Sequence, residues 1–118
     1  MAETTEIPRE RWQEYLDSLS NRSKQTPVRI RVESQELGDQ QLAGQMPLIG
    51  ISCEEKGSDA NAIEITLGEP EKDFPNITHY IQGPQRVFVE EGTNGQVRCL
   101  DIESAKVKTL IFFPEGQR

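Results

Sequence analysis

The hydrophobic pattern changes its period once along this chain, and that change limits the fold more than any other feature. Near the N-terminus, Trp12, Tyr15, Leu16 and Leu19 recur at the i, i+3, i+4 and i+7 spacing of an amphipathic helix. From residue 27 onward, apolar and polar residues alternate with a period of two, which is typical of strands with one buried face. The sequence therefore predicts one helix followed by strands.

The helix is predicted at about residues 8–20. Pro8 suits the first turn of a helix, where a backbone N–H has no intrahelical partner. Asn21 and Arg22 are typical of a helix end.

The segments after the helix are joined by connections of hairpin length, so neighbouring strands should be antiparallel. Gly50 predicts a bend or bulge within its strand, and Asn94-Gly95 is the preferred pair for a tight hairpin. Ser104-Ala105, between the last two segments, is ordinary turn chemistry and a weaker hairpin signal. The strand patterns cover about residues 27–34, 46–54, 62–68, 77–82, 86–91, 97–103 and 107–113.

The predicted fold is α+β, with an N-terminal helix and a curled antiparallel sheet or small, partly open β-barrel of about six strands. Such a sheet, plugged by the helix, would bury both the Trp12 face and the apolar strand faces. A chain of 118 residues has the usual size of a single domain, which is predicted to span residues 1–118.

Charge and targeting signals restrict the partners. The formal net charge of -7 disfavours nucleic acid and anionic lipid surfaces. The tight basic clusters, Arg29 with Arg31 and Lys106 with Lys108, are both thin. The sequence has no run of about 18 apolar residues and no signal-peptide pattern, so we expect a cytoplasmic protein without a membrane association.

Several of these segments together resemble a known family. They are a helix with Trp and Tyr, VRIRVES, MPLIGIS, THYIQGP and a closing TLIFF. This order is similar to that of a family of short, uncharacterised bacterial proteins known only as a domain of unknown function, and it implies no activity. The order of a helix and bent strands also resembles Sm-like barrels that bind RNA, but the acidic charge and the insertion GEPEKDFPN depart from them.

His79, the only histidine of the chain, is the natural catalytic candidate because imidazole titrates near neutral pH. Strand alternation places it on the face of Ile77 and Ile81, which predicts a neutral ring hydrogen-bonded inside or at the rim of the core. The other interpretation is a general base or ligand. The sequence shows no adjacent nucleophile for that role.

The two cysteines, Cys53 and Cys99, are predicted to be buried, inert thiols, with Arg98 pointing away from Cys99. Acidic residues at 54–55, 69–73 and 90–91 favour a solvated acidic rim over a cation site, because calcium-loop spacing is absent. No motif for a metal, nucleotide or other cofactor occurs, so we expect none.

Three aromatic residues lie where burial is not obvious. Phe74 is in the acidic loop at 68–76, Tyr80 is opposite His79 in its strand, and Phe88 is opposite Val87 and Val89. Each either anchors its segment or contacts a partner.

The leading hypothesis is a non-catalytic module that binds a protein or small ligand through Phe74, Tyr80 and Phe88. The alternatives are an enzyme centred on His79 and, third, an Sm-like nucleic-acid-binding barrel. The chain is expected to be a monomer or a homodimer paired through a sheet edge.

Overall fold

The computed structural model describes residues 3–56, 60–69, 76–92 and 95–114. A single 3-10 turn, Arg9–Arg11, precedes the helix α1, Trp12–Arg22. The strands are β1 Glu3–Ile7, β2 Pro27–Ser34, β3 Gly38–Lys56, β4 Ala60–Leu67, β5 Ile77–Gln82, β6 Arg86–Glu91, β7 Val97–Glu103 and β8 Val107–Phe112.

The helix buries the predicted face, but its bounds differ from the predicted 8–20. Trp12, Leu16 and Leu19 are buried, and the Trp12 indole Nε1–H donates a hydrogen bond of 2.8 Å to the Ile7 carbonyl. The helix begins later because residues 9–11 form the tighter 3-10 turn. It continues through Arg22, and the Ser23 N–H closes the last turn on the Leu19 carbonyl.

The strands of the described residues form one antiparallel sheet of eight strands in the order β1-β6-β7-β8-β2-β3-β4-β5. β5 and β6 are joined by only residues 83–85, yet they are the last and second strands of this order. The sheet must therefore curl to bring them near each other. The α+β class and the curled antiparallel sheet are confirmed, but the number of strands is eight among the described residues rather than about six.

Two parts of the sheet carry no alternating apolar pattern, which is why the sequence did not reveal them. β1 buries only Ile7 and is held by backbone pairing with β6. β3 begins at Gly38, eight residues before the predicted start at 46, and its polar first half pairs with β2. Backbone hydrogen bonds rather than side-chain burial define both segments.

β3 belongs to both halves of the sheet. Its first half pairs with β2 and its second half with β4, with a register shift between Leu48 and Gly50 that confirms the predicted irregularity at this glycine. Here the Ile51 N–H donates a 3.0 Å hydrogen bond to the Oγ of buried Ser20. The helix is thus fixed to the sheet at the point where the strand changes partners.

The core lies between the helix and the inner face of the curled sheet. Its fully buried side chains are mostly aliphatic: Trp12, Leu16, Leu19, Ile30, Leu48, Ile51, Ile63, Ile65, Leu67, Leu100, Ile102 and Ile111. Within the described ranges, no helix is long and apolar enough to span a membrane.

Candidate functional site

The outer face of the sheet carries two rows of side chains that run across four strands, β6, β7, β8 and β2. The strand registers fix these rows, because directly opposed residues of an antiparallel pair lie on the same face. The first row is Glu90, Cys99, Phe112 and Arg29. The second row is Phe88, Asp101, Leu110 and Arg31.

Two adjoining cavities, of about 430 and 270 Å³, open over these rows. Glu90, Cys99 and Phe112 line both of them, so the cavities form one depression. We call it the outer groove. Its principal lining residues are Arg29, Arg31, Phe88, Glu90, Cys99 and Phe112.

One end of the outer groove is cationic. The guanidinium carbons of Arg29 and Arg31 lie 5.1 and 5.5 Å from the centre of the Phe112 ring, within the range of cation–π contacts. Arg31 also forms an ion pair of 2.8 Å with Glu33. Arg29 has no carboxylate within ion-pair distance among the described residues, so its charge is available to a ligand.

The middle of the groove is uncharged. Cys99 is buried, and burial, with smaller contributions from Asp101 and Glu90, raises the pKa of its thiol to about 11. A thiol with this pKa remains protonated at neutral pH, and a protonated thiol is a poor nucleophile. Cys99 and Phe112 therefore provide an apolar floor between the charged ends.

Asp101 lies in the wall opposite the arginines. Its Oδ2 pairs with the Lys108 ammonium at 3.3 Å, whereas its Oδ1 is shielded from water and has no hydrogen-bond partner among the described residues. Burial raises the pKa of this carboxyl, and the contact with Lys108 opposes that shift. Glu90 and Lys108 line the same cavity as Asp101, and of these three only Glu90 has no ion-pair partner among the described residues.

His79 lies on β5, outside the outer groove. The burial pattern of β5 places it on the face of Ile77 and Ile81, as predicted, directly across from Ile65. The ring is half-buried, and this burial lowers its pKa, which favours the neutral form. The ring makes no hydrogen bond within the described part of the chain, so the predicted one is not observed.

The two aromatic candidates among the described residues lie on different strands, Phe88 on β6 and Tyr80 on β5. Phe88 is half-buried and lines the outer groove. Tyr80 is 58% exposed on β5, opposite Glu64, whose negative charge raises the pKa of the phenol. β5 and β6 are not neighbours in the sheet, and Phe74 lies outside the described residues.

Both cysteines are buried, as predicted, but they lie on opposite faces of the sheet: Cys53 is in the core and Cys99 is in the groove. The prediction that Arg98 points away from Cys99 is wrong. β6 and β7 shift register here, since Glu90 pairs with Cys99 and Glu91 with Val97, so Arg98 is the extra residue. It lines the same cavity as Cys99.

The sequence did not identify Arg29, Arg31 and Phe112 as site residues. The alternation of apolar and polar residues in β2 indicates that the two arginines point outward from their strand. It does not show that they lie beside Phe112, because this depends on the pairing of β2 with β8. Glu90, predicted in a solvated rim, is instead half-buried in the groove wall. No cluster of three or more His, Cys, Asp or Glu suited to a metal occurs in the described ranges.

Comparison with known proteins identifies the relatives of this chain. An uncharacterized protein of Aquifex aeolicus (strain VF5) is 30% identical over 99 residues, which cover 84% of this chain and 80% of that protein. No solved structure matches the chain. The model of a family of unknown function, DUF5335, matches residues 3–118. With nearly its whole length matched, the chain belongs to this family of unknown function.

Proposed function

We propose that this protein is a non-catalytic binding module whose outer groove takes a ligand with an anionic group held at Arg29. The observation that supports it best is the position of Arg29, which lies over the Phe112 ring and has no ion-pair partner among the described residues. An arginine supported by an aromatic ring presents a planar set of donors that matches a carboxylate.

The chemistry of the groove supports binding rather than catalysis. Its thiol is protonated at neutral pH, since the pKa of Cys99 is raised to about 11. The only histidine lies on β5. In the strand order, β3 and β4 lie between β5 and β2, the nearest strand of the outer groove. An enzyme centred on His79 would therefore have to use a different surface.

Of the three aromatic residues predicted from the sequence to bind a partner, only Phe88 is part of the proposed site. Phe88 belongs to the groove wall and contributes apolar surface to the ligand. Tyr80 is a separate candidate contact on β5, and Phe74 stays a candidate outside the described residues. We expect a small ligand or a protein segment rather than nucleic acid, given the formal net charge of -7.

An NMR titration with two matched probes tests the proposal. N-acetyl-leucine carries a carboxylate and an apolar side chain, whereas N-acetyl-leucine amide lacks only the charge. We expect the acid, but not the amide, to shift the backbone amide signals around Arg29, Cys99 and Phe112. Arg29→Gln should abolish the shifts.

Arg86→Gln is the control, because Arg86 is exposed on the same face but does not line the groove. It should leave the shifts intact. Equal shifts with both probes, or shifts confined to other strands, would contradict the proposal.

A further inference from the structure

The first row of the outer groove has opposite charges at its two ends. Arg29 is at one end and Glu90 is at the other, with Phe112 and Cys99 between them. Within the described ranges neither charged side chain forms an ion pair, unlike Arg31, Asp101 and Lys108. Among the charged members of the two rows, only Arg29 and Glu90 thus lack an ion-pair partner within the described ranges.

The separation of these groups limits the size of the ligand. Three strand-to-strand steps of about 4.8 Å place the backbones of Glu90 and Arg29 about 14 Å apart. Side chains of a strand stand roughly perpendicular to the sheet, so the charged ends of Glu90 and Arg29 are also about 14 Å apart. A charge-assisted contact of about 2.8 Å at each end then leaves about 8–9 Å between the ligand's own charges. An extended chain advances about 3.3–3.6 Å per residue, so three residues span this distance.

The wall beside Glu90 is polar. The Oδ1 of Asp101 has no donor among the described residues, while its Oδ2 pairs with Lys108 in the same wall. Thr4, on the adjacent β1, lies opposite Glu90 and adds a hydroxyl to the same cavity. The middle of the groove, with Phe112 and Cys99, suits an apolar side chain.

We propose that the outer groove binds an extended peptide of about three residues with both termini free, its carboxylate at Arg29 and its ammonium at Glu90. The peptide lies across the strands, with its central side chain over Cys99 and beside the Phe112 ring. This inference rests on the proposed function, since it uses the same groove and the same arginine, and it adds the second charge and the length.

Isothermal titration calorimetry with the peptide Ala-Leu-Ala and its blocked forms tests this. The N-acetylated peptide lacks the ammonium and the C-amidated peptide lacks the carboxylate. We expect each block to weaken binding about tenfold, as one charge-assisted contact is lost. Ala-Leu should bind less tightly than Ala-Leu-Ala, because it cannot reach both ends.

Two variants test which residue binds which terminus of the peptide. In Glu90→Gln, the free and N-acetylated peptides should bind equally, while amidation still weakens binding. In Arg29→Gln, the free and amidated peptides should bind equally, while acetylation still weakens binding. Arg86→Gln should behave as the wild type, and the fluorescence of Trp12 reports whether each variant is folded.

The results separate this inference from the proposed function. If acetylation has no effect on the wild type while Arg29→Gln still abolishes binding, the peptide inference is overturned and the anion site stands. If none of the peptides binds, or if both variants bind Ala-Leu-Ala as the wild type does, the inference is also overturned. In those cases the N-acetyl-leucine titration decides the proposed function by itself.

Discussion

The guanidinium of Arg29 lies 5.1 Å from the centre of the Phe112 ring, on strands that pair directly although they come from opposite ends of the chain. The ring restricts a side chain that would otherwise sample many rotamers, so less conformational entropy is lost when Arg29 binds an anion. The pairing of β2 with β8 thus creates the contact on which the proposed function depends.

Phe112→Leu should therefore weaken the binding of N-acetyl-leucine, although the leucine side chain still covers the groove floor. A cation–π contact of this kind contributes about 0.5–1 kcal/mol, so we expect binding weaker by about two- to fivefold. Phe88→Leu is the matched control, since Phe88 is also half-buried in the groove but no arginine lies over its ring among the described residues. Equal losses in the two variants would contradict the role of the ring.

The thiol of Cys99 should make the protein less stable in alkali. Its pKa is raised from 9.0 to about 11 in the folded state, so unfolding releases a proton in this range. The contribution is complete below pH 9 and is lost as the pH rises toward about 11. The contribution of the thiol to the free energy of unfolding is about 2–3 kcal/mol, since each of the two pKa units is worth about 1.4 kcal/mol.

Urea unfolding of the wild type and Cys99→Ala at several pH values between about 8 and 11 measures this effect. The free energy of unfolding should fall less steeply in the variant. Tyr15, whose pKa is also raised by burial, contributes to the slope of both proteins and cancels in the comparison. Identical slopes would show that the Cys99 thiol ionises normally.

His79 should affect the free energy of unfolding at acidic pH. Burial lowers the pKa of its ring below the ordinary 6.5, so the folded state binds this proton less readily than the unfolded state does. The stabilising contribution is present above about pH 6.5 and is lost as the pH falls through the lowered pKa. His79→Gln should make the decline in stability between about pH 7 and 5 shallower.

An NMR titration of the imidazole signals checks the same point directly. The ring should titrate below 6.5. A midpoint at or above this value would mean that a negative charge or a hydrogen bond stabilises the imidazolium, and it would favour an accessible site at His79.

Ser20 should be more important for stability than its size suggests. Its Oγ accepts the Ile51 N–H at 3.0 Å in a buried position, so Ser20→Ala leaves that backbone donor without its partner. We expect a loss of about 1–3 kcal/mol in the free energy of unfolding, measured by urea denaturation with Trp12 fluorescence.

Ser18→Ala is the matched control for Ser20→Ala, because Ser18 is exposed on the same helix. Its effect should stay below about 0.5 kcal/mol. If the two variants lose the same stability, the loss reflects the helix itself and the hydrogen bond to Ile51 contributes nothing measurable.

The local periodicity of the sequence determined much of the fold. The spacing of Trp12, Leu16 and Leu19 identified the helix and its buried face, and the alternation from Val28 onward identified strands and their inner sides. Gly50 marked the irregularity in β3. These features could be predicted because side chains at fixed spacing point to one face whatever the partner.

Tertiary structure alone decided which strands pair, and with it the candidate site. Glu3–Ile7 and the first half of β3 are strands because backbone groups of β6 and β2 are available to them, which no property of their own residues reveals. Arg29 and Glu90 face one groove because β8 and β7 lie between their strands. The local pattern decides which face of a strand is buried and so restricts its register, but it does not show which distant strand is the partner.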